Sequence, residues 1–154
     1  MAKLKLVLDK NIVIDCLEER EPFYQDARLL LTAGRVGELE LWLTSSQFTD
    51  LIYILSNGGK RKLLPSVLNQ LQGLVTFINI FPVSEREISL MLATQWNDPE
   101  DALLYESALA IQADFIVTRN RADFEGNLVK AVNCKELFEW LEKKYGISYA
   151  EVAI

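Results

Sequence analysis

The chain has 154 residues, half of them apolar and a quarter charged, and its 22 acidic against 16 basic residues give a formal net charge of −6. That size and mix fit one soluble globular unit over residues 1–154, large enough to bury roughly 70% of its unfolded surface. Histidine is absent, which excludes Ser-His-Asp and Cys-His catalysis and histidine-ligated zinc, and the acidic balance excludes a non-specific polyanion binder.

No apolar run approaches the roughly 20 residues that span a bilayer. The opening MAKLKLVLDK is charged too soon for a secretory signal. Cys16 and Cys134 have no metal-ligand spacing and read as reduced thiols. The expectation is a cytoplasmic protein with no membrane partner. Acid–base chemistry near neutral pH then needs a shifted carboxylate, a lysine or a metal-activated water.

Residues 4–8 form a short apolar strand with Asp9 at its carboxyl end. Asn11 reads as the N-cap of a helix carrying Ile12, Val13, Ile14, Cys16 and Leu17. A second helix spans 23–33 and stops at Gly34. A strand over 39–43 follows, and one of the serines in TSS caps the helix SQFTDLIYIL, which ends at Asn57, Gly58 and Gly59. A helix over 63–74 accepts Pro65 only in its first turn. Residues 76–81 are a strand. Ser84 and Glu87 form a capping box for a helix reaching about residue 96. Asp98 and Pro99 start the next helix, residues 115–118 are a buried strand, 129–132 a last short strand, and 135–145 a final helix. Residues 147–154 carry no clear pattern. Strands alternating with helices predict a mostly parallel sheet covered on both faces, an α/β/α sandwich.

In open α/β sheets, sites form at the carboxyl ends of the strands. Asp9 lies there, as a site acid or as a turn aspartate capping the next helix. In the run DPED, Asp98 and Glu100 suit capping and dipole complementation. Asp101 differs, because it falls on the stripe of Leu104, Tyr105 and Ala108, and a carboxylate on a buried face must be paired, protonated or bound to a cation. Asp50 points away from the stripe of Phe48, Leu51, Ile52 and Leu55, either into solvent or into a crevice. Asp123 lies in the loop after the fourth strand, three residues from Asn120. Asp15 and Asp26 read as exposed helix acids. Arg119 and Arg121 read as surface residues, either of them within reach of a phosphate. Lys60, Arg61 and Lys62 form the one dense basic cluster, a solvated loop or a guide for a nucleic-acid strand.

The segments LVLDKNIVID, TSSQFTDLIYIL and DPEDALLYESALAIQADFIVTRNRADF resemble the PIN domain in order and spacing, and stand-alone PIN proteins of the VapC toxin type most of all. The resemblance runs from residue 4 to about residue 141. It implies a compact α/β/α sandwich and metal-dependent cleavage of RNA. It matches Asp9, Asp101 and Asp123 to the metal-binding acids, Asn120 to their polar companion, and Asp50 to a position where many members have glutamate. Asn11 belongs to the same first anchor and is expected near the substrate with Asn120, Arg119 and the Lys60–Lys62 cluster. An oxygen-only donor set suits Mg²⁺ or Mn²⁺. The resemblance also implies a homodimer and a cognate antitoxin partner.

Two positions depart from the family pattern. Lys10 stands where a small hydroxyl residue is usual. Its ammonium could pair with an acid and compete with the metal, or turn outward to a partner. Asp50 is one methylene shorter than glutamate. A second reading follows, in which Lys10 neutralises the acids and the chain is a catalytically weakened RNA- or protein-binding module.

Overall fold

The computed structural model describes residues 3–124 and 127–149, the side chain of Asp123 excepted. Strand β1 (Lys5–Leu8) is buried from Leu6 onward. Helix α1 (Lys10–Leu17) follows without a connecting loop, because Asp9 is extended and caps it through its own carboxylate. The N-cap is therefore Asp9, and Asn11 lies one residue into the helix. With no spare residue between strand and helix, the last extended position is the one that meets the free N–H groups.

Helix α2 (Tyr24–Arg35) runs through Gly34 where a stop was expected. Gly34 is there for packing: a Cβ at this position would stand 2.3 Å from Leu41 Cδ1. The chain turns instead at Gly37, with φ of 86°. Strand β2 (Glu40–Thr44) ends in a cap made by Thr44 and not by a serine. Gln47 Oε1 accepts from the Thr44 backbone N–H at 2.8 Å, completing a capping box. A 3₁₀ turn (Ser45–Gln47) then leads into α3 (Phe48–Leu55). Asn57, Gly58 and Gly59 all have positive φ and end that stretch. Helix α4 (Leu64–Leu74) carries Pro65 in its first turn, and β3 (Ile78–Phe81) follows.

The Ser84–Glu87 capping box starts α5 (Glu85–Leu92), which ends at Ala93, a turn earlier than its periodicity suggested. Asp98 starts α6 (Pro99–Ala110), accepting from the N–H groups of Glu100 and Asp101. Strand β4 (Phe115–Val117), a 3₁₀ turn (Arg121–Phe124), β5 (Lys130–Val132) and α7 (Cys134–Tyr145) complete the described fold. Of the unassigned tail, residues 150–154 lie outside the described residues.

The five strands form one parallel sheet in the order β3-β2-β1-β4-β5. From β1 the chain builds outward to β3, then crosses back to β4 on the other side of β1. The topological switch point, where α/β sheets open a crevice, therefore lies between β1 and β4. Alternate residues feed two cores. Leu6, Leu8, Leu41, Leu43 and Val117 pack against α1, α2, α4 and α7 on one face. Val7, Ile116 and Ala131 pack against Leu104, Tyr105 and Ala108 of α6 on the other. Both sheet faces are covered, as the near-continuous apolar strands require. Among the described residues no helix is long and apolar enough to cross a membrane.

The second core also anchors the loop after β4. Trp96 stacks near Tyr105 at 5.2 Å and meets Phe124 edge-on at 5.3 Å. The Tyr105 hydroxyl accepts from the Leu128 backbone N–H at 3.3 Å. Phe124 is almost fully buried, so Phe124→Ala should cost about 3 kcal/mol or more in urea unfolding. A loss below about 1 kcal/mol would show that this ring does not hold the loop.

Candidate functional site

A cavity of about 130 Å³ opens at the carboxyl edge of the sheet. Its wall is built from four places in the chain. Asp9 and Lys10 come from the β1–α1 junction, and Thr44, Ser46 and Gln47 from the end of β2. Asp50 comes from the first turn of α3, and Glu100 and Asp101 from the first turn of α6. The fold thus brings Asp9, Asp50 and Asp101 to one space, across separations of 41 and 51 positions that local pattern does not connect.

Asp9 is fixed from several sides. Its backbone N–H donates to the Val117 carbonyl at 2.9 Å, extending the β1–β4 ladder. Its Oδ1 accepts from the Asn11 N–H at 3.4 Å, and its Oδ2 accepts from Thr118 Oγ1 at 2.9 Å. Thr118 is fully buried, and its hydroxyl also accepts from the Asn120 N–H at 3.1 Å. Gln47 Nε2 donates to the Leu8 carbonyl at 3.0 Å, joining the β2 edge to the same junction. Asp101 is only 8% exposed, in line with its place on the apolar stripe of α6.

Lys10 resolves the question its sequence position raises. Its Nζ lies 3.1 Å from Asp50 Oδ2 and 3.0 Å from Glu100 Oε2, so the ammonium turns into the acidic cavity. Burial draws the ammonium pKa down, but the hydrogen bonds and charges of Glu100 and Asp50 outweigh it and hold it above its ordinary value. In sequence Glu100 suits helix capping and dipole complementation; the structure makes it part of the cavity wall as well, and a partner of Lys10. Its signal is Lys10, an inward lysine that calls for an acidic partner. Thr118, Thr44 and Gln47 were also missed, because hydroxyl and amide groups after strands are too common to single out.

The other expected site residues are placed differently. Asp15 is not an exposed helix acid: it is fully buried. Helix α1 is covered on more than one side, burying four consecutive residues from Ile12 to Asp15, so amphipathic spacing fails there. Burial raises the Asp15 pKa, Arg119 and Arg20 oppose the rise, and Asp9 adds to it. Arg119 Nε lies 3.2 Å from Asp15 Oδ2, and its guanidinium sits 4.3 Å over the Phe23 ring. Arg119 therefore lines a second cavity of about 420 Å³ with Asp15, Phe23 and the half-buried Asp26. Arg121 pairs with Glu136. Lys60, Arg61 and Lys62 are exposed in the α3–α4 connection and do not line the acidic cavity, and neither do Asn11 and Asn120. The Asp123 backbone lies in the 3₁₀ turn after β4, while its side chain lies outside the described residues. Among the described residues no three acidic or thiol groups converge as a ready-made metal site.

A family profile described as "PIN domain" matches residues 5–122. The chain belongs to the PIN-domain family. The matched segment includes Asp9, Asp50 and Asp101 and ends one residue before Asp123. Proteins of this family generally use divalent metal ions. No curated protein sequence matches. Among solved structures, the chain is similar to a toxin-antitoxin complex from Klebsiella pneumoniae, with a TM-score of 0.61 at 17% identity over 84% of this chain and 97% of that one. It is similar to VapBC2 from Rickettsia felis bound to a promoter DNA fragment, with a TM-score of 0.60 at 17% identity over 84% and 98%. A DNA-bound VapBC from Salmonella typhimurium gives 0.61 at 17% identity over 85% and 98%. At these identities the likeness establishes the PIN-like α/β/α fold.

The cavity's donor chemistry fits a hard divalent cation. Its charged donors are carboxylates, and imidazole is absent from the chain. Asp9 and Asp101 are the described acids of the expected set that would hold the ion.

Two outcomes follow from this geometry. Thr118→Val keeps the shape but removes the donor to Asp9, and should cost about 1–2 kcal/mol in urea unfolding; an unchanged midpoint would mean the hydroxyl does not support the carboxylate. The folded chain also holds the Asp15 proton to higher pH than the unfolded chain does. The cost of ionising it is absent below the ordinary value of 3.8, grows as pH rises through the raised folded value, and is constant above that. The stability of Asp15→Asn relative to the wild type should therefore increase as pH rises above 3.8 and level off once Asp15 is ionised in the folded chain. Parallel stability curves for the two proteins would contradict the assignment.

Proposed function

We propose that this PIN-domain chain is a Mg²⁺- or Mn²⁺-dependent endoribonuclease and the toxin of a toxin–antitoxin pair. The observation that carries the reading is the convergence of Asp9, Asp50 and Asp101 on one cavity at the carboxyl edge of a parallel sheet. The solved structures of similar fold include toxin-antitoxin and VapBC complexes, which supports a protein antitoxin as partner. The missing histidine leaves a metal-assisted hydrolysis as the simplest route to phosphodiester cleavage near neutral pH.

When bound, the ion supplies charge neutralisation at the phosphate and a more acidic attacking water. The protein's own residues do the rest. Thr118 holds the Asp9 carboxylate in one orientation, and the first turn of α6 presents Asp101 beside it. Asp123 completes the ligand set from the loop that Phe124 anchors. Asn120 and Asn11 flank this edge and contact the substrate. The exposed Lys60, Arg61 and Lys62 attract the RNA backbone, a role that weakens with salt. Arg119 has its guanidinium engaged by Asp15 and Phe23, so any phosphate contact it makes lies on the side of the second cavity. The reading takes the protein as one domain, a homodimer, and cytoplasmic; the two free cysteines suit a reducing compartment.

Lys10 favours the second reading, a metal-poor RNA- or protein-binding module, because its ammonium holds two of the four cavity acids. An RNA-cleavage assay with Mg²⁺ or Mn²⁺, with and without chelator, separates the two. Cleavage should need the ion and should fall at least about 100-fold in Asp9→Asn and in Asp101→Asn, with far-UV circular dichroism unchanged. Full activity in both variants, or cleavage indifferent to chelator, would overturn the nuclease reading.

A further inference from the structure

We propose that Lys10 is a tethered cation that keeps the Asp50–Glu100 half of the cavity for itself, so that the chain takes up one divalent ion, at the Asp9–Asp101 half, and not two. The inference rests on the metal-dependent reading above and deepens it.

The two halves are separated by contacts. Lys10 Nζ stands 3.1 Å from Asp50 Oδ2 and 3.0 Å from Glu100 Oε2. Those oxygens come from different helices, α3 and α6, and the ammonium bridges them as a metal would, at hydrogen-bond distance instead of coordination distance. The ion pairs of Lys10 go to Asp50 and Glu100, whereas Asp9 Oδ2 accepts from Thr118. Nor is Lys10 an idle surface lysine. Its side chain is 18% exposed, while those of its partners are 47% and 69% exposed. An ion entering between Asp50 and Glu100 would have to displace the ammonium and leave a largely buried charge without a partner, which is expensive.

The described side chains of the cavity are four carboxylates and one ammonium, so Lys10 already offsets part of their charge. Two-ion nucleases place a second cation beside the phosphodiester. Here that second positive charge is covalently part of the chain, available before any ion binds.

Isothermal titration with Mn²⁺ alone, without RNA, tests this on the full chain. Wild-type protein should bind one ion, and Lys10→Arg, which keeps the charge, should also bind one. Lys10→Met should bind two, and adding Glu100→Gln to Lys10→Met should return the count to one. Far-UV circular dichroism confirms that each variant is folded, and Lys10→Gln replaces Lys10→Met should the latter fail that check. If wild-type and Lys10→Met bind the same number of ions with affinities within about twofold, the inference is overturned while the nuclease reading stands. If wild-type protein takes up no Mn²⁺, or its uptake is indifferent to Asp101→Asn, the metal reading itself falls and the inference falls with it.

Discussion

Repulsion between carboxylates is the constraint around which this chain is built. Asp9, Asp50, Glu100 and Asp101 share one small cavity, and each needs a source of positive potential. The fold supplies one by aiming helix starts at the cavity. Asp9 is the N-cap of α1, Asp50 lies in the first turn of α3, and Glu100 and Asp101 lie in the first turn of α6. Carboxylates at these positions are stabilised by about 0.3–1 kcal/mol each. The dipoles soften the repulsion without cancelling it, and the Lys10 ammonium takes up part of what remains. Capping and site roles are therefore the same interaction seen from two sides. Asp9 can cap α1 with Oδ1 and still present its carboxylate to the cavity.

The sheet order makes the convergence possible. Because β4 inserts next to β1 and not beyond β3, the ends of the first and fourth strands are neighbours. The Asp9 N–H reaches the Val117 carbonyl, and the Thr118 hydroxyl reaches Asp9. A parallel pairing of strands separated by more than 100 residues thus fixes a side-chain orientation at the hydrogen-bond level. The second core reinforces it, since Trp96, Tyr105 and Phe124 tie α6 to the loop after β4. Tyr105, one turn after Asp101 on α6, works by packing and by accepting from the Leu128 backbone N–H.

What the sequence reveals about this protein divides along the same lines. Helix starts marked by local chemistry, such as Asp98 with Pro99 and Ser84 with Glu87, are legible because cap and helix lie within four residues of each other. The inward turn of Asp101 is legible from its stripe. Caps at strand–helix junctions without a loop are less so: Asp9, read as a site acid or a cap, caps α1 where Asn11 was also expected to, and Thr44 takes the role expected of a serine, because β-to-α spacing there depends on where the sheet ends. Gly34 misleads for a related reason, being required by contact with Leu41 and not by a turn. Asp15 and Glu100 are illegible because their partners, Arg119 and Lys10, stand 104 and 90 positions away. Helical periodicity says which way a side chain points, not what waits for it.

Those two distant pairs share one element. Helix α1 has eight residues, too few to persist alone in water, so its tertiary contacts define it. Three of its buried residues contribute apolar packing, and its charged residues contribute direction. Lys10 at its start reaches α3 and α6 across the cavity, while Asp15 in its middle holds Arg119, the residue immediately after Thr118. The helix is thereby fastened by charge to every element that carries a cavity acid or its support: to α3 and α6 directly, and to the end of β4 through Arg119. Replacing Lys10 by the small hydroxyl residue usual in the family would leave the Asp15 fastening and the apolar packing in place but remove the charged links from α1 to α3 and α6. The position that sets how much positive charge the cavity carries before any ion arrives is therefore also the one that links its acidic walls by charge.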